Sequence, residues 1–314
     1  MKLKTSGAVV KAHDISQLRF RDTPFVKLMN KRIYNVLMVA SRYDMFILED
    51  DGRVDEQIFN EYTSLSLRYP PRFTQVNSGK EALVELKQNH YELVICMPNM
   101  DSSNTFELAK QMKKHDPRIP VVLLTPFSKS VTAALREEDL SGIDYVFSWL
   151  GDADLLLAII KLIEDRMNVD HDVKTVGVQT ILLVEDSVRF YSSALPLLYK
   201  LVLSESKEFS KEALNDHLRM LRMRGRPKIL LARDYEEAVS YYEKYGDNML
   251  GVICDMSFDR GGKKDPLAGK KLGEWIRAQD NDIPLLYTSS ESANRKHVDE
   301  ESDVFIDKNS KTFP

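Results

Sequence analysis

The chain has 314 residues, of which 43% are hydrophobic and 29% are charged, and its formal net charge is -4 at pH 7. This length favours two domains, the composition is that of a globular protein, and the small excess of acid argues against general affinity for nucleic acid. The longest strongly apolar stretch, residues 155–163, contains Lys161 and is shorter than the roughly 18 residues of a membrane-spanning helix. The amino terminus has no apolar segment typical of a secretory signal. We therefore expect a cytoplasmic protein that neither enters a membrane nor binds nucleic acid directly.

Residues 1–33 are predicted to form a lead segment outside any sheet. Within it, Thr23 and Pro24 have the character of a helix cap and a first helical position, which predicts a short helix to about Lys31. Five strands are then predicted in the first half of the chain, at residues 36–40, 73–76, 93–97, 121–125 and 145–147. Strands that alternate with helical patterns are typical of a parallel sheet covered by helices on both faces. The first domain is predicted to span residues 34–167.

A strongly apolar helix is predicted at residues 153–167, with Asp152 as its cap. The apolar residues between Leu155 and Ile163 cover more than one side of a helix, so we expect a second buried face, against either the other domain or another subunit. Residues 168–179 are polar and lack a helical period, which predicts a linker between the two domains.

The second domain is predicted to span residues 180–314, with strands at 181–184, 229–232, 252–255, 285–288 and 304–306. The segment 187–226 is longer than one connecting helix and predicts two helices. Together with residues 153–167, it is a candidate surface for self-association or for contact with an effector domain. The chain ends six residues after Lys308, so we expect this domain to lack most of its last helix. Cys96 and Cys254 lie on predicted strands and are interpreted as packing residues.

A basic cluster lies at the end of the segment 187–226. Two interpretations remain open for it: it grips phosphate or an acidic partner, or it stays solvated beside the carboxyl end of a helix. The cluster consists of Arg219, Arg222, Arg224, Arg226 and Lys228.

Chemically active residues follow the strands of the second domain. Ligands bind outside the carboxyl ends of the strands in an open parallel sheet. Glu185 and Asp186 follow the first strand, Asp255 and Thr288 end the third and fourth, and Lys308 follows the fifth. Three carboxylates at one edge repel each other, and a magnesium ion would hold them together. Asp255 would then be a nucleophile for phosphorus, with Lys308 and Thr288 contacting the phosphoryl oxygens.

This ordered set of residues resembles the receiver domain of bacterial response regulators, and the resemblance covers nearly all of both halves. It implies an α/β chain with two flavodoxin-like, doubly wound, five-stranded parallel sheets in tandem. It also implies that Asp255 is the phosphoacceptor and that Asp186 and Asp255 bind Mg²⁺ directly. By the same resemblance Glu185 acts mostly through water and the backbone carbonyl of Ser257 is the remaining protein ligand.

The resemblance further implies a switch made of Thr288 and Phe305, the latter standing three positions before Lys308. Asn309 follows Lys308 where the family usually has proline, so no cis peptide is expected there. The loop at residues 258–265 is longer and more basic than is usual in the family. It is interpreted either as a solvated loop or as a contact for a phosphodonor protein.

The first half lacks the corresponding groups. Ala40 and Ser41 stand in place of the two metal acids, Met97 in place of the acceptor and Ser148 in place of the lysine, whereas Thr125 is kept. This half is therefore predicted to be a pseudo-receiver. The acidic residues 49–52 are interpreted as a solvated turn or, less simply, as a displaced metal site.

The implied function is two-component signal transduction, with a histidine kinase or a phosphotransfer protein as the phosphoryl donor and Mg²⁺ as cofactor. In that case the chain is not an enzyme beyond its own phosphoryl transfer and aspartyl-phosphate hydrolysis. An alternative is a scaffold for protein contacts that regulates a larger enzyme without phosphorylation. A dehalogenase-type phosphatase is disfavoured because Ser257 stands where its second aspartate belongs, and no Gly-x-Gly-x-x-Gly motif supports a Rossmann domain. Residues 51–62 and 222–228 resemble the amino-terminal regulatory part of phosphoenolpyruvate-synthase-like proteins.

Overall fold

Two parallel sheets joined by a long helix make up the protein. The computed structural model describes residues 24–49, 53–98, 104–126, 139–149, 153–210, 221–298 and 303–310. The predicted helix caps Thr23 and Asp152 lie outside these ranges, as do Arg219 and most of the acidic segment 49–52. No helix among the described residues has the length and apolar character that crossing a bilayer requires.

The first sheet has five parallel strands, whose order across the sheet is 2-1-3-4-5 when they are numbered along the chain. Three of its helices begin where a polar side chain accepts a hydrogen bond from a free amide, as Ser78 does before Gly79 and Asn104 before Thr105, whereas Arg53 makes no such bond before the helix Val54–Ser64. The strands are β1 Asn35–Val39, β2 Arg72–Val76, β3 Leu93–Cys96, β4 Val121–Pro126 and β5 Tyr145–Trp149, and the helices are α1 Arg42–Leu48, α2 Val54–Ser64, α3 Gly79–Gln88 and α4 Thr105–His115.

The second sheet has the same order, read from the other edge as β12-β11-β8-β6-β7, and all of its pairings are parallel. The order 2-1-3-4-5 is that of flavodoxin-like folds. All ten predicted strands are present, which confirms the fold class. The elements of this half are β6 Thr180–Val184, α6 Val188–Ser210, β7 Lys228–Ala232, α7 Tyr235–Tyr245, β8 Met249–Asp255, β9 Phe258–Arg260, β10 Lys263–Asp265, α8 Ala268–Arg277, β11 Leu285–Ser289 and β12 Val304–Asp307.

Two segments of this half depart from the usual layout. A 3-10 helix, Ser292–His297, stands between β11 and β12. Beyond β12, the residues described as far as 310 contain no further helix. The prediction that the last helix is largely absent falls on the remainder of the chain, which lies outside the described ranges.

The predicted linker at residues 168–179 is wrong for most of its length. Helix α5 is continuous over Asp154–Val176 and ends at Gly177, whose φ of 72° is the left-handed conformation that glycine adopts readily. Val169 and Val173 continue the apolar stripe onto the core of the second sheet. The sequence pattern concealed this helix because Asn168 and Asp172 are polar and yet fully buried.

Helix α5 lies between the two sheets. Its apolar residues 155–160 and 162–163 are almost entirely buried, and they belong to one core with residues of β5, β7 and α6. The second face that the sequence predicted therefore packs against the other half of the same chain. This packing leaves the apolar part of residues 153–167 unavailable for self-association, which corrects that part of the prediction.

The lead segment is anchored to α5 by hydrogen bonds. Its helix is shorter than predicted, a 3-10 turn over Pro24–Lys27. Beyond it, backbone amides donate to polar side chains of α5: Met29 to Asp172 at 3.2 Å, Lys31 to Asn168 at 2.9 Å and Ile33 to Glu164 at 3.2 Å. The buried polar residues of α5 thus satisfy backbone groups that have no strand partner.

The last two members of the basic cluster, Arg226 and Lys228, are buried and form ion pairs within the chain. Arg226 pairs with Asp165 of α5 at 2.7 Å, and Lys228 pairs with Asp172 at 3.1 Å, with all four side chains buried. Both interpretations from the sequence are wrong for these two residues, because each meets a carboxylate of the other half of the chain. Tyr199 and the backbone amide of Ile229 also donate to Asp165.

Candidate functional site

Three carboxylates meet at the carboxyl edge of the second sheet. Glu185 and Asp186 directly follow β6, and Asp255 is the last residue of the neighbouring strand β8. One oxygen of each carboxylate lies within 4.8 Å of an oxygen of each of the others. Glu185 and Asp255 are buried, whereas Asp186 is partly exposed. The predicted acids therefore meet in one site.

Lys308 enters this site from β12. Its Nζ lies 2.5 Å from Glu185 Oε2 and 2.8 Å from Asp255 Oδ1, and also 4.3 Å from the centre of the Phe190 ring. Pairing of β12 with β11 sets this position, because the amide of Lys308 donates to the carbonyl of Ser289 at 2.8 Å. Thr288, buried on β11, is paired in register with Asp255.

The acids are electrostatically unbalanced. Burial, and then the charge of Asp255, raises the pKa of Glu185 to about 7, although Lys308 opposes this shift. Burial also raises the pKa of Asp186, with Lys264 acting in the opposite direction. A divalent cation would relieve this repulsion, and an all-oxygen donor set is what Mg²⁺ prefers. The donor chemistry and its spacing therefore fit the predicted ion.

Lys264 is a member of the site that the sequence did not reveal. Residues 258–265, interpreted from the sequence as a solvated loop or a contact for a phosphodonor protein, form a largely exposed hairpin of β9 and β10. This hairpin brings Lys264 Nζ to 2.5 Å from Asp186 Oδ2. The turn consists of Gly261 and Gly262, with φ of 61° and 71°. A Gly-Gly pair between two short runs is a known hairpin signal, so the hairpin itself was detectable.

Helix α8 fixes the backbone just after the central carboxylate. A Cβ on Gly269 would lie 2.1 Å from the carbonyl oxygen of Asp255, so no other residue allows this close approach. The amide of Gly269 donates to the carbonyl of Met256 at 3.1 Å. Ser257, whose carbonyl is the remaining predicted ligand, follows in this loop and is partly buried. Its coordination of a metal stays a prediction.

Phe305, the predicted switch aromatic, lies on β12 opposite Tyr287. It is partly buried and packs against the core on the α7 and α8 side of the sheet. Strand β11 lies between Phe305 on β12 and Asp255 on β8, and the movement of Phe305 stays a prediction.

The corresponding edge of the first sheet has different chemistry. Ser41 caps α1 by accepting from the amide of Asp44 at 3.1 Å, and Met97 is buried. The Thr125 hydroxyl donates to the carbonyl of Phe147 at 3.2 Å, and the amide of Ser148 donates to Ser192 Oγ at 2.9 Å. Within the described part of the chain, the three acids of the second sheet are the one group of at least three potential metal ligands.

Comparison with known proteins supports a relationship over part of the chain. The transcriptional regulatory protein ZraR of Escherichia coli K12 is 27% identical over 100 residues, which cover 32% of this chain and 22% of ZraR. ZraR of Klebsiella oxytoca is 30% identical over 88 residues, covering 28% of this chain and 20% of that protein. The similarity to ZraR therefore extends over about a third of this chain or less. The chain spans about a fifth of the length of these relatives.

No protein-family model matches the chain. Among solved structures, the Thermotoga maritima response regulator TrrA, in complex with Mg²⁺ and BeF, is 18% identical. The match covers 41% of this chain and 98% of that one, with a TM-score of 0.31. The fold class is therefore assigned from the strand order and register of the two sheets alone.

Proposed function

We propose that the second half of the chain is a receiver domain in which Asp255 accepts a phosphoryl group from a histidine kinase or a phosphotransfer protein. The observation that carries this proposal is the meeting of Glu185, Asp186, Asp255 and Lys308 at one sheet edge. Thr288 stands beside them on the next strand. A carboxylate that lies beside two others and a buried ammonium is suited to attack on phosphorus once the negative charge of the site is screened.

The transfer exchanges one bond to phosphorus for another. A carboxylate oxygen of Asp255 forms a bond to phosphorus, while the bond from phosphorus to the donor imidazole nitrogen breaks and the imidazole leaves. Lys308 pairs with one phosphoryl oxygen, and the Thr288 hydroxyl donates to another. Bound Mg²⁺, held by Glu185, Asp186, Asp255 and the Ser257 carbonyl, would screen the negative charge of the phosphoryl group.

The output is a change in contacts near β11 and β12. Phosphorylation adds about 1.5 to 2 negative charges at pH 7 and three strong acceptor oxygens. These draw Lys308 and Thr288 toward the phosphoryl group, and Phe305 on β12 moves with them. The first half is a pseudo-receiver that lacks the acceptor and the metal acids, so it receives no phosphoryl group. It serves as a binding surface for an effector.

Intact-mass measurement after incubation with acetyl phosphate and Mg²⁺ tests this function. We expect one added phosphoryl group on the native chain and none on Asp255→Asn. Asp282→Asn, a charge-matched change at an exposed aspartate, should label like the native chain. An unlabelled native chain, or a labelled Asp255→Asn variant, would refute the proposal and leave the scaffold interpretation.

We further propose, from the resemblance of residues 51–62 and 222–228, that this chain is the regulatory part of a larger enzyme of the phosphoenolpyruvate-synthase type. An antibody against the chain should then detect, in extracts of its own cells, a polypeptide much longer than 314 residues. A band no larger than this chain would contradict the proposal.

A further inference from the structure

A cavity of about 60 Å³ lies where the lead segment, the end of α2, helix α5 and the start of β7 meet. The cavity shares no residue with the acidic site, since none of Glu185, Asp186, Asp255 or Lys308 lines it. Residues from both halves of the chain form its walls. The lining includes Met29, Arg32, Tyr62, Arg68, Tyr69 and Arg224.

The cavity has an excess of positive charge. Two of its cations are neutralised, because Lys161 pairs with Glu164 at 2.8 Å and Arg226 pairs with Asp165 at 2.7 Å. Within the described ranges, the other three, Arg32, Arg68 and Arg224, have no carboxylate partner. Several guanidinium groups around one small space make a site for an anion with multiple oxygens.

Two donors inside the cavity wall have no acceptor among the described residues. One is the hydroxyl of Tyr62, a residue that is only 2% exposed, and the other is Nε of Arg224. Arg224 uses Nη1 to donate to the carbonyl of Val26 at 2.9 Å. Burial, and next the charge of Arg32, lowers the pKa of Arg224, so the two guanidinium groups repel each other. Buried donors normally have partners, and an oxyanion would supply them here.

Backbone strain is concentrated at the same place. Among the described residues, Met29, Ser66 and Tyr69 are the non-glycine residues with positive φ, at 52°, 55° and 62°. All three line the cavity. Residues in this conformation persist where the surroundings enforce it, and they cluster at ligand sites. Three strained positions around one charged cavity indicate a shaped binding site rather than a packing defect.

We propose that this cavity binds the phosphate group of a small phosphorylated molecule. Arg32, Arg68 and Arg224 pair with its oxygens, Tyr62 donates to one of them, and the apolar walls at Met29 and Met223 accommodate the organic part. Because the walls come from both halves, such a ligand binds the native chain and not the unfolded one. It therefore stabilises the whole folded chain.

Binding is tested without Mg²⁺ and with a chelator present, so that the acidic site takes no part. Inorganic phosphate and phenyl phosphate serve as probes, measured by titration calorimetry and by thermal unfolding against chloride at equal ionic strength. We expect a saturable rise in melting temperature with both probes. Arg224→Gln and Arg32→Gln should each weaken binding about tenfold or more, which is the order of a lost charge-assisted contact.

Arg42→Gln is the matched control, since it removes the same charge from an exposed position on α1 in the same half. It should bind both probes like the native chain. If phosphate gives no shift beyond that of chloride, or if Arg32→Gln and Arg224→Gln bind as tightly as Arg42→Gln, the proposal is overturned. Arg32→Gln keeps the test decisive if Arg224→Gln fails to fold. Asp255→Asn should bind the probes unchanged, so this outcome is independent of phosphorylation.

Discussion

The ammonium group of Lys264 forms an ion pair with Asp186, one of the predicted Mg²⁺ ligands. Its ammonium lies 2.5 Å from Asp186 and its side chain is 54% exposed, so it competes with a metal for that carboxylate while remaining free to withdraw into water. We therefore expect the hairpin of β9 and β10 to weaken the binding of a metal at Asp186. None of this follows from the strand-end pattern that identified the acids.

We expect Lys264→Met to bind Mg²⁺ about two- to fivefold more tightly than the native chain. This range corresponds to the loss of a solvent-screened ion pair of up to about 1 kcal/mol. Calorimetric titration with Mg²⁺ measures the difference. Lys263→Met removes the same charge from the exposed neighbouring position of β10 and should leave the affinity unchanged. Equal affinities for both variants would show that the contact with Asp186 has no influence on the metal.

The central acids were predictable because each one directly follows or ends a buried strand. Asp255 and Lys308 are far apart in the sequence, yet parallel pairing brings both to the same edge. Lys264 was not predictable, since its position depends on how a hairpin folds back over the sheet. The pairing of Arg226 and Lys228 with acids of α5 was equally hidden, because it requires knowing how the two sheets pack together.

Helix α5 carries the polar groups that connect the two sheets. Asp165 is fully buried and accepts from Arg226, Tyr199 and the amide of Ile229. Removing one partner of such a buried pair leaves an uncompensated charge, which typically costs 3 to 5 kcal/mol.

We therefore expect Arg226→Met to lower the free energy of unfolding by about 3 to 5 kcal/mol. The double variant Asp165→Asn with Arg226→Met should lose less than Arg226→Met alone. The amide removes the buried charge but still accepts from the Ile229 backbone. Urea denaturation of the native chain and both variants measures these differences. A double variant less stable than Arg226→Met would contradict this account of the pair.

Lys228 gives the connection between the sheets a pH dependence. Burial lowers its pKa from 10.5 to about 8, with the charge of Arg226 acting in the same direction. A lysine with a lowered pKa in the folded state binds fewer protons there than in the unfolded chain. Its contribution to stability is therefore present above about pH 10.5 and is lost as the pH falls through about 8.

Urea denaturation of the native chain and of Lys228→Met, across pH 7.5 to 10.5, tests this dependence. Between about pH 8 and 10.5 the native chain should gain up to about 3 kcal/mol relative to the variant. Other groups that titrate in this range contribute equally to both proteins and cancel in the difference. Parallel pH profiles would refute a lowered pKa at Lys228.

One face of each sheet packs into a core that the two sheets share, whereas the other face of each sheet has a core of its own. Side chains of the first sheet, of α5 and α6, and of β7 in the second sheet form a single apolar cluster. The sequence indicated two domains by its repeated strand pattern, and the strands were predicted correctly. The apolar run at residues 155–163 indicated a second buried face, but it left open whether the other half of the chain or another subunit covers that face. The halves should therefore unfold together.

The chain has two tryptophans, one in each half, which makes this cooperativity measurable. Trp149→Phe leaves Trp275 on α8 as the probe, and Trp275→Phe leaves Trp149 on β5. We expect both single-tryptophan proteins, compared with circular dichroism of the same sample, to give coincident transitions in urea. Adding Leu156→Ala on α5 should lower the free energy of unfolding reported by both tryptophans by about 2 to 5 kcal/mol. Separate midpoints, or a shift in one half alone, would show that the sheets unfold independently.

The length of α5 is fixed by the partners on either side of it. Each residue of an α-helix advances the chain by about 1.5 Å and rotates it by about 100°. Inserting one residue between Glu164 and Asp165 would turn every later side chain by that angle. Asp165 and Asp172 would then no longer face Arg226 and Lys228. A change of one residue in the length of this helix would therefore misalign both buried ion pairs at once and disrupt the packing of the two halves.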